Sequence, residues 1–315
     1  MINEKEYLRG VIGIEPIKKQ ISFYLRNFET TGIFKNLLVV GAKGVGKTKI
    51  IRETAKHLVN KNTKKIRKLI EINCASLKNL SEFIDIVSEH IVDCENTVYL
   101  DESEELDRDI SIALLSILEI NEQKRTQFVY GGGTYVFDFR RVSFIFSTTD
   151  PQKMLSPLVD RLEVVNLPAY DLNDLGKIVA HNLLNIQIDE QTLENLATVT
   201  RGNPRSCIKL TDNIKDYLKR INKDILSLQD CKKIYSELSI FPLGLNQSEV
   251  QILQTLKHNP CSLTRLAAIL GGSTQMIRRF DETFLLKTGL IEIIPKGRKL
   301  TPRGLGYLKS LQENP

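Results

Sequence analysis

Along its first half the chain alternates short unbroken apolar runs with stretches whose apolar residues recur at helical spacing. Glu15 to Phe28 predicts an amphipathic helix, and Leu37–Val40 predicts a buried strand. A helix from Lys49 to about Val59 follows, then a strand at Leu69–Ile72, a helix at Leu80–Ile91, a strand at Val98–Leu100 and a helix at Ile110–Ile120. Val142–Phe146 is another continuous apolar strand, and Val164–Leu167 is a short final one. Such strands, apolar without alternation and separated by helices, imply a parallel sheet covered on both faces. A ligand of such a sheet sits at the carboxyl ends of its strands.

One segment breaks the pattern. Phe128-Val129-Tyr130 and Tyr135-Val136-Phe137 flank Gly131-Gly132-Gly133, two aromatic and β-branched runs around a glycine turn, which read as a hairpin. Two uses fit it equally: a surface for a protein partner or DNA, or packing against its own domain.

After Pro168 the pattern is wholly helical, with helices expected at Leu172–Leu184, Asp189–Val199, Arg205–Arg220 and Ser227–Leu238. From about Phe241 it changes again. Ser248–Lys257, Ser262–Leu270 and Ser273–Thr288 predict helices, each opened by a serine near the N-cap. Strands at Leu290–Ile294 and Arg298–Thr301, joined by Pro295-Lys296-Gly297, complete a winged-helix order. The expected domains are therefore an α/β domain over 1–168, an all-α domain over 169–240 and a winged helix over 241–315.

Composition narrows the classes. With 315 residues, two or three domains are the default, and 42% hydrophobic with 26% charged residues is an ordinary globular balance. No apolar stretch reaches membrane-spanning length and no signal pattern opens the chain, so a cytoplasmic protein without membrane contact is expected. The five cysteines show no Cys-x-x-Cys pair, and His57, His90, His181 and His258 have no metal-binding spacing. A disulfide scaffold and a zinc site are thereby set aside. The net charge of +6 permits a polyanionic partner, and its location matters more than its size. The basic run Lys61 to Lys68 reads as a solvated linker into the next strand. Arg278 and Arg279 on the third C-terminal helix, with Lys296, Arg298, Lys299 and Arg303 on or beside the two-stranded ribbon, are the candidate DNA contacts.

The chemistry is concentrated after the first strand. Gly41-Ala42-Lys43-Gly44-Val45-Gly46-Lys47-Thr48 fits G-x-x-x-x-G-K-[ST], a loop whose backbone N–H groups wrap nucleotide phosphates. Its glycines let the backbone approach the anion, and the helix from Lys49 points a positive N-terminus at it. Lys47 is expected to reach the β- and γ-phosphates, and Thr48 to hold Mg²⁺. Thr97-Val98-Tyr99-Leu100-Asp101-Glu102 is an apolar strand ending in two carboxylates, with Asp101 placed for Mg²⁺ and Glu102 for polarising the attacking water. Together these two motifs imply nucleoside triphosphate hydrolysis. Arg205 opens a helix against the usual charge preference, which favours a role facing an anion.

These motifs resemble the AAA+ ATPases, and among them the RuvB-like family that drives branch migration of Holliday junctions. Val11-Ile12-Gly13 is similar to the family's N-terminal box beside the adenine, and Tyr170 falls where the family places an aromatic near that base. Thr148-Thr149 followed by Ser156-Pro157-Leu158-Val159-Asp160-Arg161 resembles the stretch from sensor 1 to the arginine finger, and Arg201-Gly202-Asn203-Pro204-Arg205 resembles sensor 2. Pro242-Leu243-Gly244-Leu245 and Pro295-Lys296-Gly297-Arg298 resemble the family's winged helix and wing. The resemblance implies that Thr149 orients the attacking water or the γ-phosphate. It implies that Arg205 senses the γ-phosphate within one subunit, and that Arg161 reaches the neighbour's site in a homo-oligomeric, hexameric ring acting on branched or duplex DNA.

Three positions depart from the family pattern. Val159 stands where a second arginine is usual, Asp101-Glu102-Ser103-Glu104-Glu105 replaces D-E-x-H-R, and the glycine hairpin is short. An AAA+ loader or switch acting on DNA with a protein partner is the alternative reading, carried by Phe146-Ser147-Thr148-Thr149-Asp150-Pro151-Gln152-Lys153, which is similar to clamp-loader motors.

Overall fold

Among the described residues, seven strands lie up to Asn166: β1 (Leu37–Val40), β2 (Lys68–Asn73), β3 (Asn96–Asp101), β4 (Arg125–Tyr130), β5 (Gly133–Asp138), β6 (Ser143–Thr148) and β7 (Glu163–Asn166). The computed structural model describes residues 7–91, 94–119, 125–130, 133–139 and 141–313. Five of the strands form one parallel sheet in the order β2-β3-β6-β1-β7. The register sets Val40 beside Thr148 and Asn73 beside Asp101, so β1, β3 and β6 end at one edge. All six residues of β6 are buried, as are the first five of β3, which is why both read as continuous apolar runs.

The helices of this part are α1 (Glu15–Thr31), α2 (Lys47–Ala55), α3 (Leu80–Ile86), α4 (Arg108–Leu118), α5 (Ser156–Val159) and α6 (Leu172–Asn182). Helix α2 starts earlier and stops sooner than its periodicity predicts. The chain then doubles back, Asn60 N–H bonding Lys65 O at 2.8 Å and Arg67 N–H bonding Leu58 O at 2.8 Å. This basic segment is not the solvated linker expected throughout. Arg67 is buried, with its guanidinium 3.0 Å from Ser143 Oγ, 3.7 Å from a Glu95 carboxylate oxygen and 4.8 Å from the Phe28 ring centre. The expected helix at Leu80–Ile91 finishes as a π-helical turn, Val87–Ile91.

Strands β4 and β5 pair antiparallel as the expected hairpin. Phe137 and Phe139 at its base are buried and pack in series toward Phe144 of the main core, with ring centres 6.0 and 6.1 Å apart. Val136 is exposed. Gly131, Gly132 and the side chains of Phe128, Val129, Tyr130 and Tyr135 lie outside the described residues.

The chain divides into two compact units, Met1–Asn182 with Gly202–Lys209, and Leu183–Arg201 with Leu210–Pro315. Helix α8 (Pro204–Arg220) begins in the first and ends in the second. The second unit also holds α7 (Glu190–Val199) and α9 (Leu228–Glu237), and it is not wholly helical before Phe241. A two-residue parallel pair, β8 (Gln187–Ile188) with β9 (Ile225–Leu226), leads into the N-caps Asp189 and Ser227.

The winged-helix elements follow in order: α10 (Gln247–Leu256), α11 (Leu263–Leu270), α12 (Thr274–Met276), a π-helical stretch Ile277–Glu282, α13 (Thr283–Lys287), then β10 (Ile291–Ile294) paired antiparallel with β11 (Gly297–Leu300). Ser262 and Ser273 cap their helices as expected, whereas the first cap is Asn246, in a reciprocal box with Glu249, and not Ser248. A helix absent from the sequence reading, α14 (Pro302–Glu313), closes the core through Tyr307 and Leu308. Glu249, fully buried, receives both guanidinium N–H groups of Arg201 at 2.6 and 3.1 Å, and that guanidinium lies 3.5 Å from the Phe284 ring centre.

Candidate functional site

The loop after β1 turns on Gly44 (φ 87°) and Gly46 (φ 96°), left-handed conformations that glycine adopts without strain. A side chain at Gly44 would strike Asn203, since a Cβ there would stand 2.5 Å from Asn203 Oδ1. Gly46 caps α2, whose first residues are Lys47 and Thr48. Lys47 Nζ donates to the carbonyls of Gly41 (2.7 Å) and Ala42 (3.3 Å), folding the side chain back over its own loop. Burial lowers the Lys47 pKa, while the charges of Glu104 and Asp101 work to raise it. Lys43 and Val45 complete the loop and Lys49 lies in the first turn of α2; Val45 is buried and Lys49 exposed.

A chain of hydroxyls ties Thr48 to Asp101. Ser147 Oγ donates to Asp101 Oδ1, Tyr99 Oη lies 3.1 Å from Ser147 Oγ, and Thr48 Oγ1 lies 3.3 Å from Tyr99 Oη. A carboxylate only accepts, so the proton order is fixed: Ser147 donates to Asp101, Tyr99 to Ser147 and Thr48 to Tyr99. The Thr48 oxygen is left with lone pairs to offer a cation. Burial pushes the Tyr99 pKa up, which keeps this hydroxyl a donor. Tyr99 and Ser147 lie on the adjacent strands β3 and β6, and neither stood out in the sequence. The available signal was a hydroxyl interrupting each apolar run.

Glu102 follows Asp101 in the left-handed region (φ 55°) with its side chain exposed. Non-glycine residues held there carry strain that is found at functional sites. Thr149, one residue past β6, bonds Glu104: its hydroxyl donates to Glu104 Oε1 at 2.6 Å and its N–H at 3.1 Å.

Arg205 is exposed near the start of α8. Its N–H is shared between Asn203 Oδ1 (3.0 Å) and Gly44 O (3.2 Å), and Asn203 Nδ2 donates to Lys43 O at 3.2 Å. The Gly202–Arg205 turn is thus seated on the Gly41–Thr48 loop, and the Arg205 charge is felt at Lys47. Tyr170 is buried, its N–H bonds Gly202 O at 3.3 Å, and a Cβ at Gly46 would stand 3.9 Å from its hydroxyl. Ile12 is half-buried in the N-terminal box, which Asp174 of α6 anchors by accepting the Ile14 N–H at 2.9 Å. The Arg161 guanidinium donates to Pro157 O at 2.9 Å. Val159, at the departure from the family's second arginine, packs against the apolar core.

On the winged helix, Arg278, Arg279, Lys296, Lys299 and Arg303 are exposed. Lys299 lies 3.6 Å from Glu292. Arg298 differs: its guanidinium grips the buried carboxylate of Glu282 at 2.6 and 3.2 Å, and its backbone pairs with Cys261. That side chain is occupied within its own domain.

A family model of the RuvB C-terminal winged helix domain matches residues 242–309, and one described as a protein of unknown function, DUF815, matches residues 3–118. The Holliday junction branch migration complex subunit RuvB of Thermotoga maritima is 25% identical over 311 residues, spanning 95% of this chain and 89% of that one. Its counterpart from Prochlorococcus marinus strain MIT 9515 is 31% identical over 182 residues, 55% of this chain and 51% of the relative.

Along nearly its whole length the chain is similar to RuvB.

The structure of the Thermotoga maritima RuvB Holliday junction branch migration motor superposes with a TM-score of 0.76 at 24% identity, over 97% of this chain and 98% of that one, a likeness in fold. The similarity to RuvB therefore runs through both the α/β sheet with its flanking helices and the winged helix. The described residues contain no group of three or more His, Cys, Asp or Glu side chains arranged to hold a metal by themselves. No described helix is long and apolar enough to cross a membrane.

Proposed function

We propose that this chain is an ATP-hydrolysing DNA motor of the RuvB type, moving branched or duplex DNA in recombination and repair. The observation that carries this reading is the convergence at one sheet edge of Lys47 and Thr48 after β1, Asp101 and Glu102 at the end of β3, and Thr149 after β6. The residues fit nucleotide with Mg²⁺. The loop's glycines give close backbone approach, and the donor pair, a threonine hydroxyl tied through two other hydroxyls to a carboxylate, is of the hard oxygen type that Mg²⁺ prefers. Bound Mg²⁺ supplies charge neutralisation of the phosphates.

In this reading Gly41–Lys49 cradles the phosphates, Ile12 and Tyr170 border the base, and Lys47 and Arg205 meet the β- and γ-phosphates. Thr48 and Asp101 hold the cation, Glu102 draws a proton from the attacking water, and Thr149 orients the reactants. Arg161 acts on the neighbouring subunit's nucleotide, which requires a head-to-tail ring, by analogy a hexamer. The work is divided among an ATPase domain over 1–168, a lid over 169–240 and a winged helix over 241–315. Arg278, Arg279, Lys296, Lys299 and Arg303 form the DNA face. Arg298 leaves that set because its guanidinium is taken by Glu282. The Phe128–Phe137 hairpin is offered to a protein partner through its exposed Val136, while its base at Phe137 stays in the core. The protein works in the cytoplasm.

Two variants test the reading. Lys47→Ala should lose nucleotide turnover, and full retention would remove the phosphate-loop assignment. Arg161→Ala should stop hydrolysis but regain it in rings mixed with Lys47→Ala subunits, whose intact Arg161 serves the neighbouring site. A mixture that stays inactive would count against a finger acting between subunits.

A further inference from the structure

Glu104 lies in the first turn after the strained Glu102, within a 3₁₀ segment Ser103–Glu105. One carboxylate oxygen, Oε1, accepts both the hydroxyl and the N–H of Thr149 (2.6 and 3.1 Å). The other, Oε2, is buried and has no hydrogen-bond partner among the described residues. Burial would raise the Glu104 pKa, but its hydrogen bonds, that from the Thr149 hydroxyl first among them, outweigh it and hold the carboxyl below its ordinary range. Glu104 is also the charge that works most strongly to raise the Lys47 pKa, against the burial that lowers it.

A threonine hydroxyl has one proton and two lone pairs. Once its proton is committed to a carboxylate, the oxygen can only accept. It cannot donate to a γ-phosphate oxygen, which itself only accepts, but it can receive an O–H of water.

We propose that Glu104 is a positioning residue that fixes Thr149 as an acceptor for the attacking water and withholds it from the γ-phosphate. Thr149 Oγ1 is then left with its lone pairs alone, turned to a donor. In the step served, the water oxygen bonds to the γ-phosphorus as the bond from phosphorus to the β,γ-bridging oxygen breaks. The water's proton passes to Glu102, and ADP and inorganic phosphate leave. The proposal rests on the ATPase reading above and names how its sensor residue is set.

The test is a double-mutant cycle on the full-length protein, with steady-state turnover, affinity for a fluorescent ADP, and thermal unfolding read on each variant. Glu104→Ala is expected to lower kcat by ~10–100-fold, the range of a misplaced catalytic group, with ADP affinity and melting temperature nearly unchanged. Glu104→Gln keeps a carbonyl oxygen for Thr149 and should retain more turnover than Glu104→Ala. Thr149→Ala should be slow, and adding Glu104→Ala to it should cost little more, because residues that act as a unit are not additive. Independent, additive losses, or a Glu104→Ala enzyme at the parental rate, would overturn the proposal. A parental protein that binds ADP but never hydrolyses ATP, with or without DNA, would overturn the ATPase reading itself and the proposal with it. Loss of ADP binding or of melting temperature in both Glu104 variants would assign the residue to folding and also overturn it.

Discussion

Tyr99 Oη stands 3.3 Å from Thr48 Oγ1, bridging the first turn of α2 to a buried position in the middle of the sheet. Through Ser147 the same hydroxyl reaches Asp101, so the two proposed cation ligands are oriented before any cation arrives.

Tyr99→Phe should therefore raise the Mg²⁺ concentration needed for tight nucleotide binding while leaving Mg²⁺-free binding unchanged. Losing one orienting hydrogen bond of about 1 kcal/mol corresponds to roughly a fivefold shift. Titrating nucleotide affinity against Mg²⁺ measures it. An identical Mg²⁺ dependence would show that the hydroxyl chain has no part in holding the cation.

Asp230 gives a pH prediction for the second unit. It is buried in a capping box with Ser227, whose N–H (3.0 Å) and hydroxyl (2.6 Å) it accepts, and it pairs with Lys223 at 2.6 Å. Burial works to raise its pKa, but these partners prevail and bring it down to about 2. A carboxyl depressed on folding stabilises the protein above its unfolded pKa and loses that contribution as pH falls through the folded value. The contribution, of order 2 kcal/mol, is thus complete at neutral pH and fades between about pH 4 and pH 2. Asp230→Asn should be destabilised in denaturant titrations at pH 7 and differ much less from the parent near pH 2.5. A difference independent of pH would assign the loss to packing.

The wing separates two kinds of basic residue. Lys296→Ala should weaken DNA binding and flatten its dependence on salt by about one counterion, with stability preserved. Arg298→Ala should instead lower stability, because it strands the buried Glu282 carboxylate. Measuring binding at several salt concentrations beside thermal unfolding distinguishes them. The opposite assignment would return Arg298 to the DNA face.

Much of this architecture is legible in the chain because its signals are local. The runs at Leu37–Val40 and Val142–Phe146 announce buried strands, and Gly46-Lys47-Thr48 announces the glycine turn into α2. The roles of Tyr99, Ser147 and Glu104 are not legible, since each depends on which strand lies beside which. Only the register of β3 against β6 brings Ser147 to Asp101 and Glu104 to Thr149. Arg298 shows the same limit, as a basic residue on a wing whose partner lies sixteen positions back. Helix α14 and the Asn246 cap are different. Pro302 at a first turn and Asn246 three residues before Glu249 were readable local signals.

The most direct test of the motor reading is steady-state ATP hydrolysis at fixed salt with no DNA, with linear duplex and with a four-way junction. The account predicts turnover stimulated by DNA, most strongly by the junction. Turnover indifferent to DNA, rising only when a protein partner is added, would contradict it and identify the chain as a loader or switch.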